Sequence, residues 1–131
     1  MTHSLDSVFL FIHPPIAIIG YAFIVSSLIL ITIQSRLDVS DELVRKNLYL
    51  AWLFNFTGLL TGMIWAQFAW GAYWSWNPKE IATLGLFTLV CFSTLIYDQS
   101  KKFSQILLLI ALVVIVMNIT ITLSSLGLHS Y

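Results

Sequence analysis

The chain has 131 residues, 59% of them hydrophobic and only 9% charged, and its six basic and six acidic side chains cancel. Soluble domains carry about 25% charged residues, so this composition excludes a soluble globular enzyme and points to a bilayer. The even charge balance argues against nucleic acid as a partner. A single cysteine, Cys91, excludes an intrachain disulfide, and there is no C-x-x-C-H stretch to carry a covalently attached haem.

Four apolar runs are long enough to cross a hydrocarbon core of ~30 Å as helices rising ~1.5 Å per residue. The first covers about 14–33. His3 lies in a short tail ahead of it, and His13 immediately precedes Pro14 and Pro15. Proline suits the opening turn of a helix, so this order predicts that His13 marks the mouth of helix one. No basic region precedes the run and no small-residue cleavage pattern follows it, so it is expected to stay in the mature protein rather than leave as a signal peptide.

The next stretch, SRLDVSDELVRKN, reads as a solvated connector of mixed charge. The second run, about 48–68, holds Asn55, Gln67 and a G-x-x-x-G pair, Gly58 and Gly62, flanked by Thr57 and Thr61. Polar side chains at that depth are expected to turn toward other helices or a cavity, and the glycines permit close packing within the bundle or against a partner.

Between the second and third runs lies WAQFAWGAYWSWNPKE, residues 65–80, with four of the chain's five tryptophans. An interfacial aromatic belt accounts for one or two of Trp65, Trp70, Trp74 and Trp76, but poorly for all four. Asn77, Pro78 and Glu80 read as a helix start: an amide cap, a proline at the first helical position and a carboxylate in the first turn. The third run covers about 81–97. The fourth covers about 103–126, holds Asn118 and ends just before His129 in LGLHSY. Strand-like alternation is absent, so the expected fold is all-α: one domain, residues 1–131, of four transmembrane helices.

Arg36, Arg45 and Lys46 fall in the connection 34–47, and Lys101 and Lys102 in the connection 98–102, whereas the opposite side has only Lys79. The positive-inside rule therefore places both basic loops on the inner face, and both termini and the tryptophan segment on the outer face. His13 and His129 then share a face with the tryptophans. Two imidazoles able to ligate iron, with an aromatic platform for a flat macrocycle, are the parts of a haem site.

WGAYWSWNPKE resembles the tryptophan-rich signature of the cytochrome c assembly family, the haem-handling membrane proteins that include CcsA, CcmC and CcmF. HPPIAIIGYAF is similar to the family's first-histidine helix and LGLHSY to its second-histidine end, with wording closer to CcsA than to CcmC. The resemblance implies a single non-covalent b-type haem at the outer face, with His13 and His129 as axial ligands and Trp70, Gly71, Trp74 and Trp76 as its platform. Lys79 would then be a candidate partner for a haem propionate, the alternative being a solvated, snorkelling lysine. Asn77 stands where the family usually has aspartate, so it is either a haem contact or the cap of helix three. The implied function is haem presentation to apocytochrome c, whose C-x-x-C-H thiols form thioether bonds with the haem vinyl groups, possible work for a component of a haem lyase or synthase. No histidine lies inside an apolar run, so a second membrane protein is expected to supply the rest of a haem-delivery complex. The expected location is the cell membrane or another energy-transducing membrane. Two other classes are compatible with the residues: a small electron-transfer subunit that keeps its haem, and a haem-free scaffold whose tryptophans only anchor it.

Overall fold

The structure, a computed structural model, describes the backbone of residues 2–129 and the side chains of residues 12–124. Four α-helices make up the described chain: α1 (Thr2–Gln34), α2 (Asp41–Trp70), α3 (Pro78–Ile96) and α4 (Lys101–His129). Each contains a span long and apolar enough to cross a membrane, namely Ile12–Gln34, Asp41–Trp70, Pro78–Ile96 and Lys101–Ser124. The protein is an all-α, multi-pass membrane protein.

Successive helices are antiparallel and α4 returns to α1, so the order around the bundle is that of the chain. Cross-helix hydrogen bonds set the register. Asn47 of α2 donates to Ser27 of α1 at 2.6 Å, and Trp52 of α2 donates to the Cys91 sulfur of α3 at 3.0 Å. The Ser93 and Ser104 hydroxyls join α3 to α4 at 2.6 Å, and Asn118 of α4 donates to the Tyr21 hydroxyl of α1 at 3.0 Å. One end of the bundle therefore gathers the start of α1, the tryptophan connector 71–77 and the end of α4. The other end carries the connectors 35–40 and 97–100.

Packing between α1 and α2 follows a 4-3 spacing. On α2 the inward positions are Val44, Leu48, Ala51, Asn55, Gly58 and Gly62; on α1 they include His13, Ala17, Gly20, Ile24, Ser27 and Ile31. This is the knobs-into-holes period of shallow helix crossings. The buried apolar core, which includes Ile24, Leu48, Leu86, Val90, Leu108 and Ala111, fills the middle and the end away from the tryptophans. Toward the tryptophan end the α2 side chains shrink to alanine, asparagine and glycine. Asn55 satisfies its amide there, donating to the Ala51 carbonyl at 2.7 Å and to Gly20 of α1 at 3.3 Å.

Several expectations are corrected. Helix one begins at Thr2 rather than near residue 14, so His3 belongs to α1, and His13 lies within the helix and within its apolar span. Pro14 and Pro15 are interior to α1: they remove two amide donors, yet the packing of residues 13–31 on α2 carries the helix through them. The segment SRLDVSDELVRKN is connector only as far as Ser40. The Ser40 side chain caps α2 by accepting from the Leu43 amide at 3.2 Å, which makes Arg45 and Lys46 helical. Lys101 likewise starts α4 rather than ending a loop, and His129 is the last residue of α4 rather than a residue beyond it.

Candidate functional site

Gly62 lets His13 approach α2. A Cβ at Gly62 would stand 3.0 Å from the His13 Cε1, so the imidazole lies against bare helix backbone. One residue earlier, the Thr61 hydroxyl is 3.1 Å from the His13 Nδ1. Gly62 is eight residues before the end of α2 at Trp70, about two turns, so His13 lies inside the bundle rather than at its mouth.

At this level α1, α2, the connector and the start of α3 surround a cavity of about 230 Å³. His13 lines it from α1, Gly62, Trp65 and Trp70 from α2, Trp74 and Asn77 from the connector, and Lys79 from the first turn of α3. Trp65 and Trp70, five residues apart on α2, meet edge to face at 5.7 Å between ring centroids. Trp74 and Trp76 pair in the same way at 5.4 Å, but Trp76 is 65% exposed and does not line the cavity.

Local sequence explains the connector. Gly71 ends α2 in the left-handed region at φ 79°, and its amide donates to the Gln67 carbonyl at 3.0 Å. Nothing lies within 4 Å of where a Gly71 Cβ would be, so the glycine serves the backbone turn and not the cavity wall. Trp76 also has positive φ, 59°, uncommon for a residue with a bulky side chain. Asn77 then caps α3. Its Oδ1 accepts from the Glu80 amide at 2.9 Å, and the Glu80 carboxylate accepts from the Ser75 amide at 2.8 Å and the Asn77 amide at 3.4 Å, closing a capping box. The Asn77 amide nitrogen donates to the Ser75 hydroxyl at 3.3 Å, so both ends of this side chain are engaged in the turn.

Two polar groups at the cavity are left over. The Trp74 indole N–H is buried and has no hydrogen-bond partner among the described residues. Lys79 is exposed at the rim and makes no ion pair among them. A buried donor without an acceptor costs about 1–3 kcal/mol, so the wall suits a ligand that brings an acceptor of its own. The residues present fit a haem edge: an imidazole nitrogen for iron, indole rings for the macrocycle, and an indole N–H and an ammonium for a carboxylate.

The structure thus brings together His13, Trp70, Trp74, Asn77 and Lys79, and leaves Gly71 and Trp76 beside the cavity. His129 ends α4 at the same end of the bundle, but its side chain lies outside the described residues. Sequence reasoning read Gly62 only as a packing residue and Trp65 only as one of the clustered tryptophans, and it assigned Thr61 and Met63 no place at the site. The 4-3 spacing that links Gly20, Ala17 and His13 was the signal that could have found Gly62.

Residues 1–129 match the family described as Cytochrome C assembly protein. The chain belongs to that family. Similar proteins include the cytochrome c biogenesis protein CcsA of Guizotia abyssinica, 35% identical over 88 residues, 63% of this chain and 27% of that protein. CcsA of Trachelium caeruleum is 32% identical over 117 residues, 85% of this chain and 35% of the relative. CcsA of Synechococcus sp. (strain WH7803) is 30% identical over 103 residues, 74% and 32% respectively. The chain spans about a third of the length of the curated relatives it matches. No solved structure matches. Membership in the cytochrome c assembly family gives the tryptophan-lined cavity a context in which haem is the first ligand to consider.

Proposed function

We propose that this protein is a membrane component of cytochrome c biogenesis that binds haem in the tryptophan-lined cavity and presents it to apocytochrome c. The observation that carries the reading is the meeting of His13 with Trp65, Trp70 and Trp74 in one cavity whose wall holds an unpartnered indole N–H. His13 would hold the iron through an imidazole nitrogen, Trp70 and Trp74 would line the macrocycle, and the Trp74 N–H with Lys79 would receive a propionate. His129, the last residue of α4, is the candidate for a second iron ligand. Trp76 is the exposed rim against which the acceptor docks, and Gly71 and Asn77 hold the connector in shape. Bound haem supplies the iron and the vinyl groups; the protein contributes orientation, exclusion of water and access. The bundle end carrying the cavity faces outward, in line with the five cations at the other end and the single Lys79 here. A second membrane protein completes the delivery complex.

The test is a transfer assay. Haem-loaded protein in detergent is mixed with a reduced apocytochrome peptide bearing C-x-x-C-H, and covalent haem is read on a denaturing gel. Transfer that needs both His13 and the partner subunit is expected. Haem that stays bound and cycles between redox states without transfer would make the protein an electron-transfer subunit instead.

A further inference from the structure

We infer that Thr61 is a positioning residue for His13, holding the imidazole as the tautomer whose Nε2 carries the free lone pair. The inference follows from the single hydrogen on the threonine hydroxyl. Thr61 Oγ1 lies 2.9 Å from the Thr57 carbonyl and 3.1 Å from the Gly58 carbonyl, and carbonyls only accept, so the hydroxyl hydrogen is directed back along α2. What it turns to His13 is a lone pair, and the contact of 3.1 Å to Nδ1 is then an N–H of the imidazole donating to Thr61. With Nδ1 protonated, the neutral ring keeps its lone pair on Nε2. Gly62 supplies the bare backbone against which the ring lies. Thr61 and Gly62 thus fix the tautomer and the orientation of one imidazole from one face of α2. A hydrogen bond of this kind on the remote nitrogen of a ligating histidine raises its donor strength, and losing one typically costs 10–100-fold in metal affinity.

The part of this that concerns haem rests on the reading above, and two measurements separate the two ideas. In the haem-free full-length chain, nitrogen NMR of labelled histidine, with the His13 signal identified by its loss in His13→Ala, reads the tautomer directly. A neutral ring protonated at Nδ1 is expected, retained in Thr61→Ser and converted to a mixture in Thr61→Val. Protonation at Nε2, or a Thr61→Val ring unchanged from wild type, would overturn the inference whatever the protein binds. In haem-loaded protein, Thr61→Val is expected to release haem about tenfold faster and to take up reducing electrons more readily, because a weaker imidazole donor favours ferrous iron, with Thr61→Ser near wild type. The Nδ1–H tautomer in a protein that binds no haem would leave the positioning in place and remove the haem function. Haem held by His13 with identical release from Thr61→Val would do the reverse.

Discussion

At Gly62 the missing side chain sets how near His13 lies to α2. Adding a methyl at 3.0 Å from the ring displaces the imidazole by a few tenths of an ångström, while alanine favours the helix by about 1 kcal/mol over glycine. Gly62→Ala is therefore expected to leave thermal stability in detergent unchanged or slightly raised while weakening haem binding roughly tenfold, a loss of order 1.4 kcal/mol. Gly85→Ala, with no atom within 4 Å of the new Cβ, should raise stability in the same way and leave haem affinity alone. Equal haem affinity in both variants would mean that His13 does not need the space. Trp74 belongs to the same scale. Its buried, unpartnered N–H predicts that Trp74→Phe, which keeps most of the ring and loses the donor, weakens carboxylate-bearing porphyrins and spares their dimethyl esters in a fluorescence-quenching titration.

At the level of elements, the capping box decides how the tryptophan connector turns into α3. Asn77→Ala should lower helix and protein stability by about 1 kcal/mol, whereas Asn77→Asp should match wild type or exceed it slightly, because a carboxylate caps as well and gains from the helix dipole. Circular-dichroism melts of the three proteins check this, and a wild-type melt for Asn77→Ala would show that the box carries no stability. This turn was legible in the sequence because cap, proline and carboxylate are local signals. The four spans were legible because a bilayer enforces their length. The start of α1 was not: Pro14 and Pro15 read locally as a helix start, and packing along the seam that continues through Gly20, Ala17 and His13 overrode that preference. The misplaced start put His13 at a mouth when it lies about two turns inside. The sequence did place His13 and the tryptophans at one end of the bundle, because antiparallel connectivity alone brings them there.

For the whole molecule, all four helices meet at one carboxylate at the end opposite the cavity. Asp41 of α2 accepts from Gln34 of α1 at 2.6 Å, from Tyr97 after α3 at 2.9 Å and from Lys101 of α4 at 2.8 Å. No sequence rule reveals this, since each residue sits at a separate helix terminus and they come together only in the assembled bundle. The apolar core fills the middle of the bundle and this same half. Asp41→Asn should lower the melting temperature without altering the spectrum of bound haem, since the two sites lie at opposite ends. Tyr97 is 1% exposed, and its burial, together with the hydrogen bond to Asp41, pushes its phenol up to about 12 from an ordinary 10.0. A raised pKa favours the protonated phenol in the folded state. Its stabilisation is therefore fully present below pH 10.0 and is lost as pH rises through about 12. Tyr97→Phe should be less stable at neutral pH and should lose less further stability across that alkaline window, as measured by denaturant unfolding at fixed pH.

The claim on which the rest depends is that the His13 imidazole is a haem ligand in the tryptophan-lined cavity. The most direct measurement is the oxidised and reduced optical spectrum of detergent-purified protein beside His13→Ala, with and without added imidazole. The proposed function predicts a haem spectrum in the wild type, a shifted or absent one in His13→Ala, and partial recovery when imidazole enters the space left beside Gly62. Identical haem content and spectra in wild type and His13→Ala would contradict the account.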